Sequence, residues 1–402
     1  MELNQGVQWG PTIRPTRAEI NLLSVVENSR LVASWAGCDL VAVVKADAYG
    51  HGACEVAKEL QMAQTVVGFA VSLVEEGIEL RNAGITLPIL VMGPSVSDAY
   101  AALVEFKLTP FLSDTRHIAP LAAAAKTASQ VVGIHLKLDT GMGRLGIVVD
   151  ELAQAVAQVD GSANLHLEGI GSHLACADVD DPSDVDSKTV RQLQVFRDAT
   201  APFAGRELKF HIANSDAIAR FSAPPSELPK FAFARPGIAL YGNGSRRSEL
   251  AQSLRLVSEI TQLRLVSEGE TVSYGARWVA QRPTRVAIVP IGYADGLPRR
   301  SSGQATALIG QKACEIIGTI SMDMIVVDVS DCAEVAIGDE VVLLGRQGQA
   351  QIRVWDVAKQ AGISEYEVTC GISKRVPRVF VGSSSVGSSS VESSSVESSS
   401  DV

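Results

Sequence analysis

Short apolar runs recur between residues 41 and 241, and segments with helical spacing separate them. The segments 72–82, 117–125, 151–159 and 185–199 repeat apolar residues at helical intervals. Eight strands alternating with helices, at a spacing of roughly 25–30 residues, predict a (β/α)8 barrel. A doubly wound sheet alternates in the same way but seldom contains eight regularly spaced parallel strands. The strand-like runs are residues 41–46, 65–70, 88–93, 108–112, 131–139, 165–174, 208–213 and 233–241.

After about residue 242, strand-like segments follow one another with few helical patterns between them. This succession predicts a mostly antiparallel β domain, with one late helix at 354–361. We therefore expect a barrel over 12–243 and a β-rich domain over 244–381. Residues 382–402 repeat a serine-rich unit of five residues, and their low apolar content predicts a disordered tail.

The composition excludes several classes of protein. The formal net charge of −10 provides no basic surface for nucleic acid or an anionic membrane. The chain lacks the apolar run of about 18 residues that a membrane-spanning helix needs, and its N-terminus does not resemble a signal peptide. The six cysteines form no Cys-x-x-Cys pair, so we expect free thiols and no metal site. These features favour a cytoplasmic protein.

Lys45 directly follows the first barrel run, and Gly50 and Gly52 then break the chain into a turn. A lysine at the end of a buried strand is partly desolvated, which makes its neutral amine easier to populate. Schiff-base chemistry requires such an amine. A lysine at a strand end can also simply extend to water, so Lys45 alone does not establish catalysis.

Further polar residues follow other predicted strands, where the active site of a barrel enzyme is built. They include Arg144 on a glycine-rich loop, His173, and Arg235 on the last strand. The Asn214-Ser215-Asp216 segment would begin a helix, and Gly237 would let a ligand approach the backbone closely. Such strand ends commonly bind phosphate. A phosphate site and a lysine together suggest pyridoxal phosphate, although a sugar phosphate bound by an aldolase-like lysine is an alternative.

The chain resembles the alanine racemase family of fold type III pyridoxal-phosphate enzymes from about residue 14 to residue 379. Val-Val-Lys-Ala-Asp-Ala-Tyr-Gly-His-Gly around Lys45 is close to the cofactor signature of that family. Four further motifs support the resemblance independently: Leu138-Asp-Thr-Gly-Met-Gly-Arg, Arg235-Pro-Gly-Ile, Ser273-Tyr-Gly and Met322-Asp323.

The resemblance implies a head-to-tail homodimer that interconverts L-alanine and D-alanine, supplying D-alanine for peptidoglycan. Lys45 would hold pyridoxal 5'-phosphate covalently and act as one base. Tyr274 of the other subunit would be the second base, hydrogen-bonded to His173. Arg144 and Met322, the latter also from the other subunit, match positions near the substrate. The cofactor positions are Lys45, Tyr49, His173, Asn214, Ser215, Arg235, Gly237, Ile238 and Tyr366.

The chemistry of racemisation agrees with this division of roles. A proton must leave either face of Cα and return to the other, so two opposed bases are expected, each contributing about 10²–10⁴-fold. Arg235, cationic at any working pH, would disfavour protonation of the cofactor's ring nitrogen and so limit side reactions such as transamination. Tyr366 and Tyr274 would narrow the entrance to admit a methyl side chain.

Three other functions remain open on the sequence alone. A broader amino-acid or serine racemase would use the same scaffold. A non-catalytic pyridoxal-phosphate carrier would share the barrel and Lys45 but lack the β domain and Tyr274. A fold type III decarboxylase would pair the ring nitrogen with an acid rather than with Arg235. Two further positions are compared with the family. Position 321 is serine where some relatives carry cysteine, and Lys137 matches a lysine that is carboxylated in some members.

Overall fold

Eight parallel strands form a barrel, as the alternating pattern predicts. The computed structural model describes residues 13–94, 99–221, 231–332 and 334–383. A first strand, β1 (Arg17–Asn21), and helix α1 (Leu22–Ala36) precede the barrel. The barrel strands are β2 (Asp39–Val43), β3 (Gly68–Val71), β4 (Ile89–Val91), β5 (Thr109–Leu112), β6 (Val132–Lys137), β7 (Leu165–Gly171), β8 (Lys209–His211) and β9 (Phe233–Ala234).

Hydrogen bonds join the barrel strands in the order β8-β7-β6-β5-β4-β3-β2-β9. Two further backbone bonds close the ring: Ala232 N–H donates to the Phe210 carbonyl at 3.0 Å, and Arg235 N–H donates to the Ala213 carbonyl at 2.9 Å. The carboxyl ends of all eight strands therefore meet at one end. The helices that alternate with them are α2 (Ala53–Met62), α3 (Val74–Asn82), α4 (Ala99–Glu105), α5 (Ile118–Thr127), α6 (Leu152–Asp160), α7 (Lys188–Thr200) and α8 (Ser215–Arg220).

Apolar side chains explain why these short runs are strands. Every residue of β3 and β4 is buried, as expected for parallel strands with both faces covered. Phe69 and Ile89 are completely buried, and burying each such side chain stabilises the fold by about 1.5–3 kcal/mol.

A second, mostly antiparallel sheet forms the β-rich domain, as predicted. Helices α9 (Val354–Ala361) and α10 (Glu365–Cys370) accompany it. The strands of this domain are β10 (Leu254–Glu259), β11 (Gln262–Val266), β12 (Thr271–Val272), β13 (Trp278–Val279), β14 (Thr284–Val289), β15 (Thr306–Ile309), β16 (Lys312–Ile317), β17 (Ile325–Asp328), β18 (Glu340–Gln347), β19 (Ala350–Ile352) and β20 (Arg378–Val381). Short 3₁₀ turns lie at Thr115–His117, Val149–Glu151, Ala201–Phe203, Ile238–Tyr241, Tyr274–Ala276, Tyr293–Asp295 and Arg299–Ser301.

The N-terminal strand β1 belongs to the second sheet. Ala18 pairs antiparallel with Leu256 of β10 and parallel with Arg378 of β20, and it is completely buried there. The predicted barrel domain begins at residue 12 and so includes this segment. The first described strand thus belongs to the sheet that the later strands complete, and it joins the two domains.

The serine-rich tail predicted over 382–402 lies outside the described residues from residue 384 onward. Within the described ranges, no helix is long and apolar enough to cross a membrane. In the same ranges, His, Cys, Asp and Glu side chains form no group that could hold a metal ion. All six cysteines are free.

Candidate active site

A cavity of about 450 Å³ lies at the carboxyl ends of the barrel strands. This is the end at which barrel enzymes build their active sites. The barrel brings together side chains that are far apart in the sequence, such as Lys45 after β2 and His173 after β7. Ten of the twelve site residues suggested by the sequence line the cavity: Lys45, Tyr49, Arg144, His173, Asn214, Ser215, Arg235, Gly237, Ile238 and Tyr366.

A left-handed helical turn, Lys45–Gly50, forms the wall next to β2. Residues 46–49 all have positive φ, between 51° and 55°, although none is glycine. Each such residue costs roughly 1–2 kcal/mol, and strain of this kind concentrates at functional sites. The Ala46 N–H donates to Glu76 Oε1 at 2.7 Å, which helps to hold the turn. The turn places Lys45 and Tyr49 on the same cavity.

The cavity is rich in positive charge. It is lined by Lys45, Lys137, Arg144 and Arg235, and no described lining residue is a carboxylate. Burial lowers the pKa of Lys45, and the charge of Arg144 lowers it further. Burial, followed by the charges of Arg144 and Arg235, lowers the pKa of Lys137 to about 8. The cavity is therefore suited to an anionic ligand and to a lysine that loses its proton easily.

Hydroxyl groups and a glycine form a cradle at one side of the cavity. Ser215 Oγ accepts hydrogen bonds from the N–H groups of Gly237 and Ala239, at 2.9 and 3.3 Å. A Cβ on Gly237 would lie 2.3 Å from the Tyr49 hydroxyl oxygen. The Tyr366 ring packs on Tyr49, with centroids 5.7 Å apart. Only glycine leaves room for the Tyr49 hydroxyl at this point, and this packing places that hydroxyl beside Ser215 on the cavity wall.

Asn214 begins helix α8 beside this cradle. Its side-chain oxygen accepts from the Ala217 N–H at 3.0 Å and caps the helix. The helix begins within the Asn214-Ser215-Asp216 segment, as the sequence predicts. The same amide donates to the Leu174 carbonyl at 3.4 Å, which fixes the loop after β7.

Arg235 is buried at the inner end of the cavity. It donates to the Ser172 carbonyl at 2.5 Å and to Nδ1 of His211. Burial lowers its pKa to about 10, so it remains a cation near neutral pH. Burial, with the charges of Arg235 and Arg144, lowers the pKa of His173 to about 3. His173 is therefore neutral at the same pH.

Tyr274 and Met322 are the two suggested residues that do not line the cavity. Their side chains are 72 % and 50 % exposed. Both lie in the β-rich domain, on loops that Thr319 connects: its carbonyl accepts from Ser273 Oγ at 2.5 Å, and its hydroxyl donates to the Tyr274 carbonyl at 2.8 Å. Of the two suggested catalytic bases, a single chain therefore places the lysine in its own cavity but not the tyrosine.

Two buried histidines, His211 and His135, lie behind Arg235, and sequence reasoning gave neither a role. Their rings occupy space that Gly169 and Gly171 leave free on β7. A Cβ on these glycines would lie 2.6 Å from His135 Nδ1 and 2.5 Å from His211 Nδ1. Glycine at alternate positions of a strand indicates close approach of another group, and this was the signal that could have revealed them.

Family comparisons cover both domains of the chain. Residues 20–244 match the alanine racemase N-terminal domain, and residues 253–380 match the alanine racemase C-terminal domain.

Individual relatives match over almost the whole chain. The alanine racemase of Sorangium cellulosum is 38% identical over 386 residues, covering 92% of this chain and 99% of the relative. That of Geobacter sulfurreducens is 38% identical over 384 residues, covering 92% and 98%.

Solved structures show the same similarity. An alanine racemase from a D-cycloserine-producing Streptomyces lavendulae superposes with a TM-score of 0.85 at 32% identity, covering 92% of this chain and 98% of that one. An alanine racemase from Clostridium difficile 630 gives 0.83 at 33% identity, covering 92% and 97%. The chain belongs to the alanine racemase family.

Proposed function

We propose that this protein interconverts L-alanine and D-alanine with pyridoxal 5'-phosphate as its cofactor. The observation that carries the proposal is the position of Lys45: a lysine with a lowered pKa in a cavity with three other basic side chains. An amine of this kind can bond to the cofactor aldehyde and exchange a proton. Membership of the alanine racemase family supports alanine as the substrate.

The donor set of the cavity fits pyridoxal phosphate. Ser215, Gly237 and Tyr49 lie together on one side of the cavity, and a phosphate would lie against them. Arg235 would face the ring nitrogen, and Tyr366 would complete the phosphate contacts. When bound, the cofactor supplies the electron sink that makes the α-proton of an amino acid acidic.

Two side chains would then move the α-proton. Lys45 would take or return it on one face of the substrate. Tyr274, exposed on the β-rich domain, would act on the opposite face after reaching the cavity of a second subunit. A two-fold dimer supports this arrangement, because each chain would give its tyrosine and receive its partner's in equivalent contacts. His173, neutral near pH 7, would be the hydrogen-bond partner of the incoming tyrosine.

The remaining residues would set the substrate. Arg144 lines the cavity and would lie near the substrate with Met322 of the second subunit. Tyr366 is 43 % exposed at the mouth of the cavity, where its ring would restrict the side chain to a methyl group. Discrimination by one methylene is worth only about 1–3 kcal/mol, so larger substrates must be excluded by this steric contact.

The direct test is to incubate the purified holoenzyme separately with L-alanine, D-alanine and L-serine and to follow the opposite enantiomer. We expect both alanine enantiomers to reach the same equal mixture, with serine slower. Fast serine and slow alanine turnover would indicate the broader racemase instead. A bound cofactor without turnover of any amino acid would indicate a carrier protein and would contradict the proposal.

A further inference from the structure

A line of polar side chains runs from Arg235 through the interior of the barrel to its opposite end. Arg235 Nη1 hydrogen-bonds to His211 Nδ1, and His211 Nε2 lies 2.8 Å from His135 Nδ1. His135 Nε2 lies 3.9 Å from Glu168 Oε2, which also lies 3.5 Å from Lys209 Nζ. These last three side chains line a separate cavity of about 330 Å³.

The chemistry of arginine fixes the direction of this line. A guanidinium only donates hydrogen bonds, so His211 Nδ1 must accept and its proton must be on Nε2. That proton is donated to His135 Nδ1, which places the proton of His135 on its own Nε2, facing Glu168. The 3.9 Å separation is too long for a hydrogen bond, and the final contact is one between a charge and a dipole. Each imidazole thus turns its negative end to Arg235 and its positive end to Glu168.

The barrel is built around these two rings. Gly169 and Gly171 face them from β7, leaving the space that a Cβ would occupy. The His211 ring stacks on Phe233, with centroids 4.4 Å apart, and Phe111 lies at 5.1 Å on another side. Packing of this kind holds the rings in one orientation, and the orientation decides which nitrogen meets Arg235.

Both imidazoles are neutral near pH 7. Burial, and then the charges of Lys209 and Arg235, lower the pKa of His135 to about 3. Burial and the charge of Arg235 also lower the pKa of His211 well below its usual value. A protonated ring could not accept the hydrogen bond from its neighbour, so the line functions only in this neutral form.

We propose that His211, His135 and Glu168 act as a relay that positions Arg235 and stabilises its positive charge. Arg235 is 4 % exposed and has no carboxylate among the described residues that line its cavity. The relay connects it to the carboxylate of Glu168 at the other end of the barrel. His135 and Glu168 are positioning residues, since neither lines the site. The consequence rests on the proposed function: a fixed, cationic Arg235 keeps the cofactor's ring nitrogen unprotonated and suppresses transamination.

Nitrogen-15 NMR of histidine-labelled holoenzyme tests the relay without measuring activity. The chain has six histidines, and the His211→Gln and His135→Gln variants assign the two signals. We expect both rings to carry their proton on Nε2 and to keep it between about pH 6 and pH 9. A proton on Nδ1 of either ring, or titration within this range, would overturn the relay whether or not the protein racemises alanine.

Side-chain variants test whether the relay suppresses transamination. His135→Phe and Glu168→Gln interrupt the relay, whereas His135→Gln retains an acceptor and a donor. His166→Gln, at an exposed position of β7, the strand that carries Glu168, is the control. We expect the first two variants to complete about tenfold fewer racemisation turnovers per transamination event, the lower end of the loss measured when a group that orients a metal ligand is replaced. The KM for alanine should remain close to that of the wild type in these two variants. His135→Gln and His166→Gln should keep the wild-type ratio of racemisation to transamination.

An unchanged ratio of racemisation to transamination in folded Glu168→Gln and His135→Phe enzymes would contradict the proposed role. If His135→Phe does not fold, Glu168→Gln decides the question, because Glu168 is partly exposed and its replacement leaves the core intact. A wild-type protein without racemase activity would refute the proposed function but not the relay, which the NMR measurement tests independently.

Discussion

Gly237 and Tyr49 are in such close contact that a Cβ on Gly237 would lie 2.3 Å from the tyrosine hydroxyl oxygen. Gly237→Ala must therefore displace the Tyr49 ring, which also packs on Tyr366. Overpacking of this kind typically costs about 1–3 kcal/mol, and we expect pyridoxal phosphate to bind about tenfold more weakly. Equilibrium binding of the cofactor to the apoenzyme measures the change.

Gly205→Ala is the matched control, because a Cβ on Gly205 meets no atom within 4 Å. It should bind the cofactor like the wild type. Equal affinities for Gly237→Ala and Gly205→Ala would show that the phosphate is not held at this cradle.

Tyr366 combines two proposed roles that two substitutions separate. Tyr366→Phe removes the hydroxyl group but keeps the ring, so the affinity for the cofactor should fall while the preference for alanine over serine stays. Tyr366→Ala removes the ring at the mouth of the cavity, and the ratio of kcat/KM for serine to that for alanine should rise about tenfold, the scale of one small group in a pocket. A Tyr366→Ala enzyme with the wild-type ratio would show that this residue does not select the substrate.

The barrel could be predicted from sequence because its strands and helices are local patterns. The last run, 233–241, shows where such patterns fail. Only Phe233–Ala234 forms a strand, and Ile238–Tyr241 forms a 3₁₀ turn. Pro236 cannot donate a ladder hydrogen bond, and Gly237 breaks the extended run. Strand β1 could not be assigned to its sheet either, because its partners Leu256 and Arg378 are over two hundred positions away.

Most of the candidate site could be suggested from the residue types at strand ends, together with the family motifs. Two features could not. Nothing in Lys-Ala-Asp-Ala-Tyr predicts a left-handed turn, because alanine ordinarily favours the right-handed helix. The pairing of His135 with His211 depends on the distance between two strands of the closed barrel.

The left-handed turn makes Ala46 a test of backbone strain. Ala46 is exposed and has a φ of 51°, a region where glycine is favoured. Ala46→Gly should leave the free energy of unfolding unchanged or raise it slightly. Ala123→Gly, at an exposed position of the right-handed helix α5, should lower it by about 1 kcal/mol. Denaturation of both variants measures the difference, and equal losses would show that the turn is not strained.

Buried neutral histidines predict a loss of stability in weak acid. Burial lowers the pKa of His51 to about 4 and that of His135 to about 3, whereas both titrate near 6.5 when unfolded. As the pH falls below about 6.5, the unfolded chain binds protons that the folded chain does not. The free energy of unfolding should therefore decrease, by up to about 1.4 kcal/mol per pH unit for each histidine.

Denaturant unfolding between about pH 6.5 and pH 5, above the range of most carboxylates, measures this slope. His135→Gln should reduce the slope by the share of one histidine. His166→Gln, which removes an exposed histidine of β7, is the control for replacing a histidine by glutamine. Identical slopes for wild type and His135→Gln would mean that His135 is protonated in the folded protein.

Each active site is proposed to take Lys45 from one chain and Tyr274 from another. Lys45→Ala and Tyr274→Phe homodimers should each be inactive, and Lys45→Ala should also lose the absorbance of the covalently bound cofactor. Co-expression of the two variants as differently tagged chains allows the mixed dimer to be isolated. In a two-fold dimer, one of its two sites would then contain both wild-type residues. We predict that the mixed dimer recovers about half of the wild-type kcat per dimer, and a mixed dimer as inactive as its parents would contradict the claim.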